Sequence, residues 1–333
     1  MKIYLAGDSI VQNYEKEEFI AGWGQFLPFF IKDGVEVVND AKGGRSSRLF
    51  INEGRFDNIE KNISAGDYLL IEFCHNDDAS KEYKTMFNRL TPLGEPDSDG
   101  RFPIIPGEAM PKDYIPPEYI DALRKDENVK DKQAVLDSVY KILESYPHDT
   151  YYPYSADGSK GTYLWFLKQF VDMAREKGAV PVFVTAPART VYDANGNIKD
   201  GAGLHGGNNF AYIRAMKQLG EEAKVPVIDL FAYSCGLYKQ IGKEKIHWIT
   251  SIKKGCNKGI WPDDFNSEMQ KKETVSEDTH FNKYGAMLIT QGLVKLIKES
   301  DSSQLDGLKG MLKNPDGIDI EKYVKKPLVF EAF

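Results

Sequence analysis

The first residue that could perform chemistry is Ser9, which follows a short apolar segment at residues 2–7. Ile3 and Leu5 predict a buried strand in this segment, and Gly7 permits a sharp exit from it. Ser9 therefore lies at the carboxyl end of a strand, the edge of an open α/β sheet where ligands bind. A serine at such a turn either caps a helix or acts as a nucleophile, and this segment alone favours the cap.

The candidate base for Ser9 is His280. Of the five histidines of the chain, it is the one preceded by two carboxylates, Glu277 and Asp278, in a predicted loop directly before a predicted helix. A serine hydroxyl is a weak nucleophile until a base removes its proton, and a carboxylate that fixes the tautomer of the imidazole improves the base. Either carboxylate could serve. By itself, a histidine beside an acid is more typical of a structural pair.

Two further predicted strand ends carry hydrogen-bond donors. The segment at 35–38 is followed by Gly43 and Gly44, whose backbone can point amide hydrogens outward, and the segment at 68–73 is followed by Asn76. Donors placed at a developing oxyanion are each worth about 3 kcal/mol by deletion. The Ser9 and Gly44 amides and the Asn76 side chain would therefore form an oxyanion hole. These parts together suffice for acyl transfer.

The elements that must position these groups alternate between strand and helix along most of the chain. This alternation predicts a five-stranded parallel sheet covered by helices on both faces, a three-layer α/β/α sandwich. The predicted strands lie at 2–7, 35–38, 68–73, 180–185 and 225–230, and the predicted helices at 23–31, 163–177, 209–224 and 283–297.

The predicted domain covers residues 1–300 and is interrupted by an irregular insertion at about 79–161. Prolines between 91 and 118 exclude long regular elements there, and one helix is predicted at 130–146. Irregular segments of this length are usually functional or form an interface, so the insertion is interpreted as a lid or rim over the site or as a homodimer contact. Residues 301–333 are predicted to form a C-terminal extension packed on the domain.

Composition limits the classes of partner. The chain has 333 residues, of which 41% are hydrophobic and 28% charged, and a formal net charge of -7. This balance argues against a nucleic-acid surface, and an anionic substrate would need local cations to hold it. The three cysteines match neither a zinc site nor a redox pair and are interpreted as reduced thiols.

The beginning of the sequence and its apolar segments bear on localisation. Met1 leads directly into the first predicted strand without a basic and apolar leader, and no apolar run is long enough to cross a bilayer. The sequence therefore predicts a cytoplasmic protein with no membrane partner, or a secreted one if a leader has been removed.

Four sequence blocks occur in the order that is found in one hydrolase superfamily. They are Gly7-Asp8-Ser9, the run from Asn39 to Arg48, the run from Glu72 to Asp77, and Thr279-His280-Phe281-Asn282. The sequence resembles the SGNH (GDSL) hydrolases, and within them the rhamnogalacturonan acetylesterases of pectin degradation. Ordered blocks over a span from residue 2 to about residue 298 are far more specific than Gly-Asp-Ser alone.

The resemblance implies a role for each matching residue. It makes Ser9 the nucleophile, Gly44 and Asn76 the oxyanion donors, and His280 the base. It implies a sheet with flavodoxin-like strand order and an esterase that removes acetyl groups from a carbohydrate, such as pectic rhamnogalacturonan oligosaccharides, without a metal or organic cofactor. The alternatives are another ester, such as acetylated xylan, and a non-hydrolytic carbohydrate- or nucleotide-binding module on the same fold.

Two positions depart from the family pattern. Cys74 stands where these enzymes usually have glycine before His-Asn-Asp, which predicts a slight displacement of Asn76. The family's acid is usually an aspartate three residues before the histidine, and here that position is Glu277. We favour Glu277 as the acid, because triads with glutamate function in other hydrolases, and keep Asp278 as the alternative.

Two arginines follow the Gly43-Gly44 turn of the second block. Arg45 and Arg48 are close enough in sequence to the predicted site to contact a uronate carboxylate. Structural salt bridges are the favoured interpretation of both residues.

Overall fold

The computed structural model describes residues 1–15, 20–78, 89–127, 129–151, 158–199, 210–252 and 276–324. Its central sheet has five parallel strands in the order β2-β1-β3-β6-β7. These strands are β1 (Lys2–Gly7), β2 (Glu36–Asn39), β3 (Tyr68–Glu72), β6 (Val180–Val184) and β7 (Val227–Ile228). The first strand lies between the second and third in chain order, which confirms the predicted flavodoxin-like topology.

Helices cover both faces of this sheet. The helices of the described residues are α1 (Trp23–Phe26), α2 (Ser47–Asn52), α3 (Arg55–Asn62), α4 (Pro117–Lys125), α5 (Lys132–Glu144), α6 (Tyr163–Glu176), α7 (Ala211–Ala223), α8 (Leu230–Ile241), α9 (Lys283–Glu299) and α10 (Asp306–Met311). Of these, α4 and α5 lie in the insertion and pack in a separate apolar cluster. Two short antiparallel pairs accompany them, β4 (Ala109–Met110) with β5 (Thr150–Tyr151) and β8 (Thr250–Ile252) with β9 (Ser276–Phe281).

Alternation along β1 divides the core into two layers. Ile3 and Leu5 are buried on the face covered by α1 and α9, and Tyr4 and Ala6 are buried on the face covered by α2, α6 and α7. Because both faces are covered, the strands read as continuous apolar runs rather than as an apolar and polar alternation. This arrangement is the predicted three-layer α/β/α sandwich.

Several boundaries differ from the predicted ones. The first helix ends at Phe26 and continues as a 3-10 turn over Leu27–Phe30, because Pro28 lacks the N–H that an α-helix would need there. The last sheet strand is only Val227–Ile228. Helices α2, α3 and α8 were not predicted, and residues 276–281, expected as a loop, form β9.

The described part of the insertion packs beside α2. Leu49 shares an apolar cluster with residues of α4 and α5. Asn52 exchanges two hydrogen bonds with the backbone of Tyr151, at 2.9 and 3.3 Å. A role as lid or dimer contact stays a prediction.

The segment after α9 packs into the apolar core on one face of the central sheet. Leu305, Leu308 and Met311 are buried in the same cluster as Ile3 and Leu5. The apolar end of the chain, for which docking was predicted, lies beyond residue 324 and outside the described residues. None of the helices that the structure describes has the length and apolar composition to traverse a membrane.

Candidate active site

The candidate nucleophile and base are in direct contact. The Nε2 atom of His280 lies 2.9 Å from the Oγ atom of Ser9, although the two residues are 271 positions apart in sequence. Ser9 is 9% exposed, so its hydroxyl lies at the base of a site that solvent reaches only partly. At this distance the imidazole can accept the hydroxyl proton.

The carboxyl end of β1 and the loop after β2 are held together by backbone hydrogen bonds. The Lys42 amide donates to the Gly7 carbonyl at 3.0 Å, which extends the β1–β2 pairing past the end of β2. A methyl group added to Gly43 would lie 3.3 Å from the Ser9 Cβ atom. The glycine loop therefore lies directly against the nucleophile.

Gly44 has the backbone conformation that a turned-out amide requires. Its φ of +81° is in the left-handed region that favours glycine. The amides of its neighbours are occupied, because Gly43 donates to the Gln12 side chain and Arg45 to the Lys42 carbonyl. Gly44 thus follows the glycine that lies against Ser9, and its role as an oxyanion donor stays a prediction.

Asp8 connects the nucleophile loop to Asn76. One carboxylate oxygen accepts from the Ile10 amide and the other from the Asn76 Nδ2 atom, both at 2.9 Å. The amide nitrogen of Asn76 carries two hydrogens, so this bond orients the group and leaves the second hydrogen for another acceptor. This positioning role of Asp8 was not predicted, because the Gly-Asp-Ser motif by itself contains no signal for it.

His280 is held between a hairpin and a helix N-terminus. Strand β9 pairs with β8, and the Phe281 carbonyl also accepts from the Ala21 amide at 2.9 Å. The Asn282 side chain caps α9 by accepting from the Gly285 amide at 2.9 Å and donates to the Trp248 carbonyl at 2.8 Å. These bonds fix the backbone on both sides of the imidazole.

The structure describes the side chain of one candidate acid, Asp278, but not that of the other, Glu277. The Asp278 carboxylate accepts from the Thr279 hydroxyl at 2.9 Å, and the Asp278 carbonyl accepts from the Thr190 amide at 2.7 Å. Glu277 lies in β9, but its side chain falls outside the described part of the chain. Alternation along β9 puts the side chains at 278 and 280 on one face, so the alternative that sequence analysis kept stays open.

Arg45 and Arg48 make intramolecular contacts. The Arg45 guanidinium pairs with both carboxylate oxygens of Glu53 at 2.8–3.1 Å and donates to the Gly43 carbonyl at 2.8 Å. Arg48 is 2% exposed and donates to the Leu90 carbonyl at 2.8 Å. Arg45 therefore makes the structural salt bridge that was favoured from the sequence, and Arg48 donates to a backbone carbonyl instead.

Relatives of known type cover nearly the whole chain. It is 30% identical over 300 residues to the rhamnogalacturonan acetylesterase RhgT of Bacillus subtilis, covering 90% of each chain. It is also 30% identical over 298 residues to the probable rhamnogalacturonan acetylesterase YesY of the same organism, covering 89% of this chain and 92% of YesY. The chain belongs to the rhamnogalacturonan acetylesterase family. It is a carboxylic ester hydrolase with the SGNH (GDSL) fold, as the sequence blocks predicted.

A solved structure supports the fold of this esterase. The crystal structure of the Bacillus subtilis protein YxiM superposes with a TM-score of 0.54 at 19% identity. The match covers 91% of this esterase and 57% of the YxiM chain. No protein-family model matches the sequence.

A group of buried carboxyls lies beneath the active site of the esterase. Burial raises the pKa of Asp8 to about 6, against the opposing effects of the Ile10 amide, His280, Asn76 and Arg189. Burial also raises the pKa of Asp77 to about 7, although that carboxylate accepts from the Ser47 amide and hydroxyl at 3.0 and 2.6 Å. The Ser47 contact ties the oxyanion loop to the end of β3.

Glu72 is the most strongly perturbed of these groups. It is fully buried, and burial together with the neighbouring Asp8 and Asp77 carboxylates raises its pKa well above the ordinary value. Between the unfolded and folded pKa values, the folded chain retains a proton that the unfolded chain has released. Raising the pH through this window therefore favours unfolding.

We expect the substitution Glu72→Gln to reduce the loss of stability of the esterase between pH 5 and pH 8. The amide stays uncharged as the protonated acid does, so the pH slope of the unfolding free energy should become shallower by up to about 1.4 kcal/mol per pH unit. Denaturant unfolding at several pH values measures this slope. The exposed Glu144→Gln is the matched control, and equal slopes in the wild type and Glu72→Gln would contradict the prediction.

Arg89 is a residue of this site that sequence analysis missed. It follows the undescribed residues 79–88, and its guanidinium lies beside Gly44. Arg89 lies in an irregular segment of the sequence, where neither periodicity nor a motif could have identified it.

Within the described residues, no group of three or more His, Cys, Asp or Glu side chains is arranged to hold a metal ion.

Proposed function

We propose that this esterase removes acetyl groups from pectic rhamnogalacturonan oligosaccharides by a Ser-His-acid acyl-enzyme mechanism. The observation that carries the mechanism is the 2.9 Å contact between the Ser9 hydroxyl and the His280 imidazole. The names of the two relatives that match about nine-tenths of the chain support the proposed substrate class.

In the first half of the reaction, Ser9 Oγ attacks the acetyl carbonyl carbon while His280 Nε2 accepts the hydroxyl proton. The carbonyl oxygen becomes an oxyanion, which the Gly44 and Ser9 amides and the second hydrogen of the Asn76 amide stabilise. Collapse of this intermediate breaks the bond to the sugar oxygen. His280 returns the proton to that oxygen, so the sugar leaves as an alcohol and the acetyl group stays on Ser9.

In the second half, water takes the place of the sugar. His280 accepts a proton from the water as its oxygen attacks the acetyl carbon, and the same three donors bind the new oxyanion. Breaking the bond to Ser9 Oγ releases acetate, and the proton on His280 returns to the serine. The Asp8 carboxylate keeps Asn76 in position through both halves, because it holds one of the two amide hydrogens at 2.9 Å.

We propose Glu277 as the acid that orients His280. The Asp278 carboxylate accepts from the neighbouring Thr279 hydroxyl, and its carbonyl binds Thr190. These bonds give Asp278 a structural use in holding β9. A glutamate at 277 has one more methylene than the usual aspartate, which lengthens the reach of its carboxylate.

We expect Glu277→Gln to lose more activity than Asp278→Asn. Removing the charge of a triad acid lowers kcat by about 10³- to 10⁴-fold in serine hydrolases, because the imidazolium formed in the transition state loses its stabilisation. Each substitution removes one carboxylate at nearly constant size, so the two variants are matched controls for each other. Steady-state rates of acetate release decide between them, and a larger loss in Asp278→Asn would assign the role to Asp278.

A substrate panel tests the proposed specificity. Acetate release is measured from acetylated rhamnogalacturonan oligosaccharides and from acetylated xylo-oligosaccharides at equal concentrations of ester. We expect the higher kcat/KM on the rhamnogalacturonan substrate. A higher value on the xylan substrate would overturn the proposed substrate and leave the acyl-enzyme mechanism standing.

A further inference from the structure

The Arg89 guanidinium lies beside Gly44, one of the candidate oxyanion donors. A methyl group placed on Gly44 would be 3.0 Å from the Arg89 Nη2 atom and 3.6 Å from its Cζ atom. Gly44 in turn follows Gly43, which packs against the Ser9 side chain. A permanently charged group is therefore located at the edge of the site where the ester must bind.

The backbone that carries Arg89 is firmly anchored on its C-terminal side. The Leu90 carbonyl accepts from the buried Arg48 at 2.8 Å, and the Thr91 carbonyl accepts from the Tyr212 hydroxyl at 2.7 Å. The Thr91 amide also donates to the Asp77 carbonyl at 3.0 Å, directly after the candidate oxyanion donor Asn76. Such anchoring favours ligand binding, because a charged side chain that must first be ordered binds its ligand more weakly.

The overall charge of the esterase makes a local cation important. The formal net charge is -7, so the protein as a whole repels an anionic saccharide. Arg45 and Arg48, the two arginines nearest to the oxyanion loop in sequence, bind Glu53 and the Leu90 carbonyl. Arg89 is half-buried and adjoins Gly44.

We propose that Arg89 is a specificity-determining residue that binds the carboxylate of a uronic acid residue in the acetylated saccharide. This inference rests on the proposed function and narrows it to anionic esters. A guanidinium presents a planar fork of donors that matches a carboxylate with two parallel hydrogen bonds. In an acetylated uronic acid, the ester and the carboxylate are on the same sugar ring, so an ester at Ser9 brings the carboxylate to the rim of the site.

A contribution of Arg89 to the oxyanion itself is the competing explanation, and the two differ in substrate dependence. Stabilisation of the oxyanion acts on every acetyl ester, because every ester forms the same tetrahedral intermediate. Recognition of a carboxylate acts only on esters that carry one. Substrates with and without the carboxylate therefore separate these roles.

The experiment compares wild type, Arg89→Gln and Arg89→Lys on three substrates. These are acetylated rhamnogalacturonan oligosaccharide, the same oligosaccharide with its carboxyl groups reduced to alcohols, and 4-nitrophenyl acetate. Arg175→Gln is the matched control, since Arg175 caps backbone carbonyls at the opposite edge of the sheet. Thermal unfolding of each variant verifies that it is folded.

We expect Arg89→Gln to lower kcat/KM for the acidic oligosaccharide by about 10- to 100-fold, mainly through KM, as for the loss of a charged hydrogen-bonding partner. Activity on the carboxyl-reduced oligosaccharide and on 4-nitrophenyl acetate should stay close to that of the wild type. Arg89→Lys should recover part of the loss, and added salt should raise KM for the acidic substrate in the wild type more than in Arg89→Gln.

Equal losses on all three substrates would overturn the inference, because they would place Arg89 at the oxyanion. Unchanged kinetics on the acidic substrate would overturn it as well and leave the proposed function intact. Failure of the wild-type esterase on the acidic substrate, together with activity on 4-nitrophenyl acetate, would instead refute the proposed function.

Discussion

Replacing Ser9 with alanine is expected to lower kcat/KM for acetate release by about 10⁵- to 10⁶-fold, the scale of loss when a serine hydrolase loses its nucleophile. The substitution removes the oxygen that lies 2.9 Å from the His280 imidazole and leaves the backbone amide of residue 9 in place. Residual hydrolysis should come from the oxyanion donors and from binding alone. Rates of acetate release from the acetylated oligosaccharide measure the effect.

Two further observations make the Ser9 result specific. The exposed Ser145, whose hydroxyl donates to the Ile142 carbonyl, provides the matched control Ser145→Ala, which should retain wild-type rates. Rapid quenching during turnover followed by peptide mass spectrometry should find an acetyl group on Ser9. Activity of Ser9→Ala near the wild-type level would remove the nucleophile assignment and the acyl-enzyme mechanism with it.

Replacing His280 with alanine is expected to cost about as much as replacing Ser9, again about 10⁵- to 10⁶-fold in kcat. The serine hydroxyl then has no base at hydrogen-bond distance within the described site. Because the two side chains act as a unit, the double variant should be no slower than either single variant. Steady-state rates of the two single variants and the double variant measure this non-additivity.

A control variant and a rescue experiment test the assignment of His280 as the base. His148, whose imidazole lies 3.1 Å from the Asp57 carboxylate, is a second histidine beside an acid, and His148→Ala should retain activity. Added imidazole should restore part of the activity of His280→Ala by entering the vacated space, and it should leave Ser9→Ala unchanged. Additive losses in the double variant would show that the two residues do not act together.

These predictions depend on a site assembled from distant parts of the chain. The Ser9 loop, the Gly44 loop and Asn76 follow β1, β2 and β3, which are adjacent in the sheet. His280 comes instead from the β8–β9 hairpin, outside that sheet. The catalytic arrangement therefore joins the edge of one sheet to a separate element.

Much of the fold could be predicted because it depends on local pattern. Apolar residues at 3–6 and 68–73 are buried on both faces of a sheet, and this burial gives a continuous apolar run that can be read from sequence. The parallel direction of the strands follows from the strand-helix alternation, because each helix carries the chain back to the start of the next strand. The short helices α2 and α3 were missed because they span only 6 and 8 residues, too few to show a clear period.

The candidate residues of the site could be predicted from the sequence, but the contacts between them could not. Sequence blocks identified Ser9, Gly44, Asn76 and His280, and the structure brings Ser9 to 2.9 Å from His280. The prediction of a loop at 276–281 was wrong, because Thr250 and Phe281 pair across a gap in sequence that no local pattern reports. Pairing of distant segments overrides the local preference.

The sequence by itself determined the fold class, the candidates for the reacting groups and the strand ends that carry them, since these depend on residue types and on short-range periodicity. Only the tertiary structure decided that Asp8 orients Asn76, that Arg45 and Arg48 are engaged in structural contacts, and that Arg89 lies beside Gly44. The physical reason is that these contacts depend on how loops close over the sheet, which is a property of the folded chain as a whole.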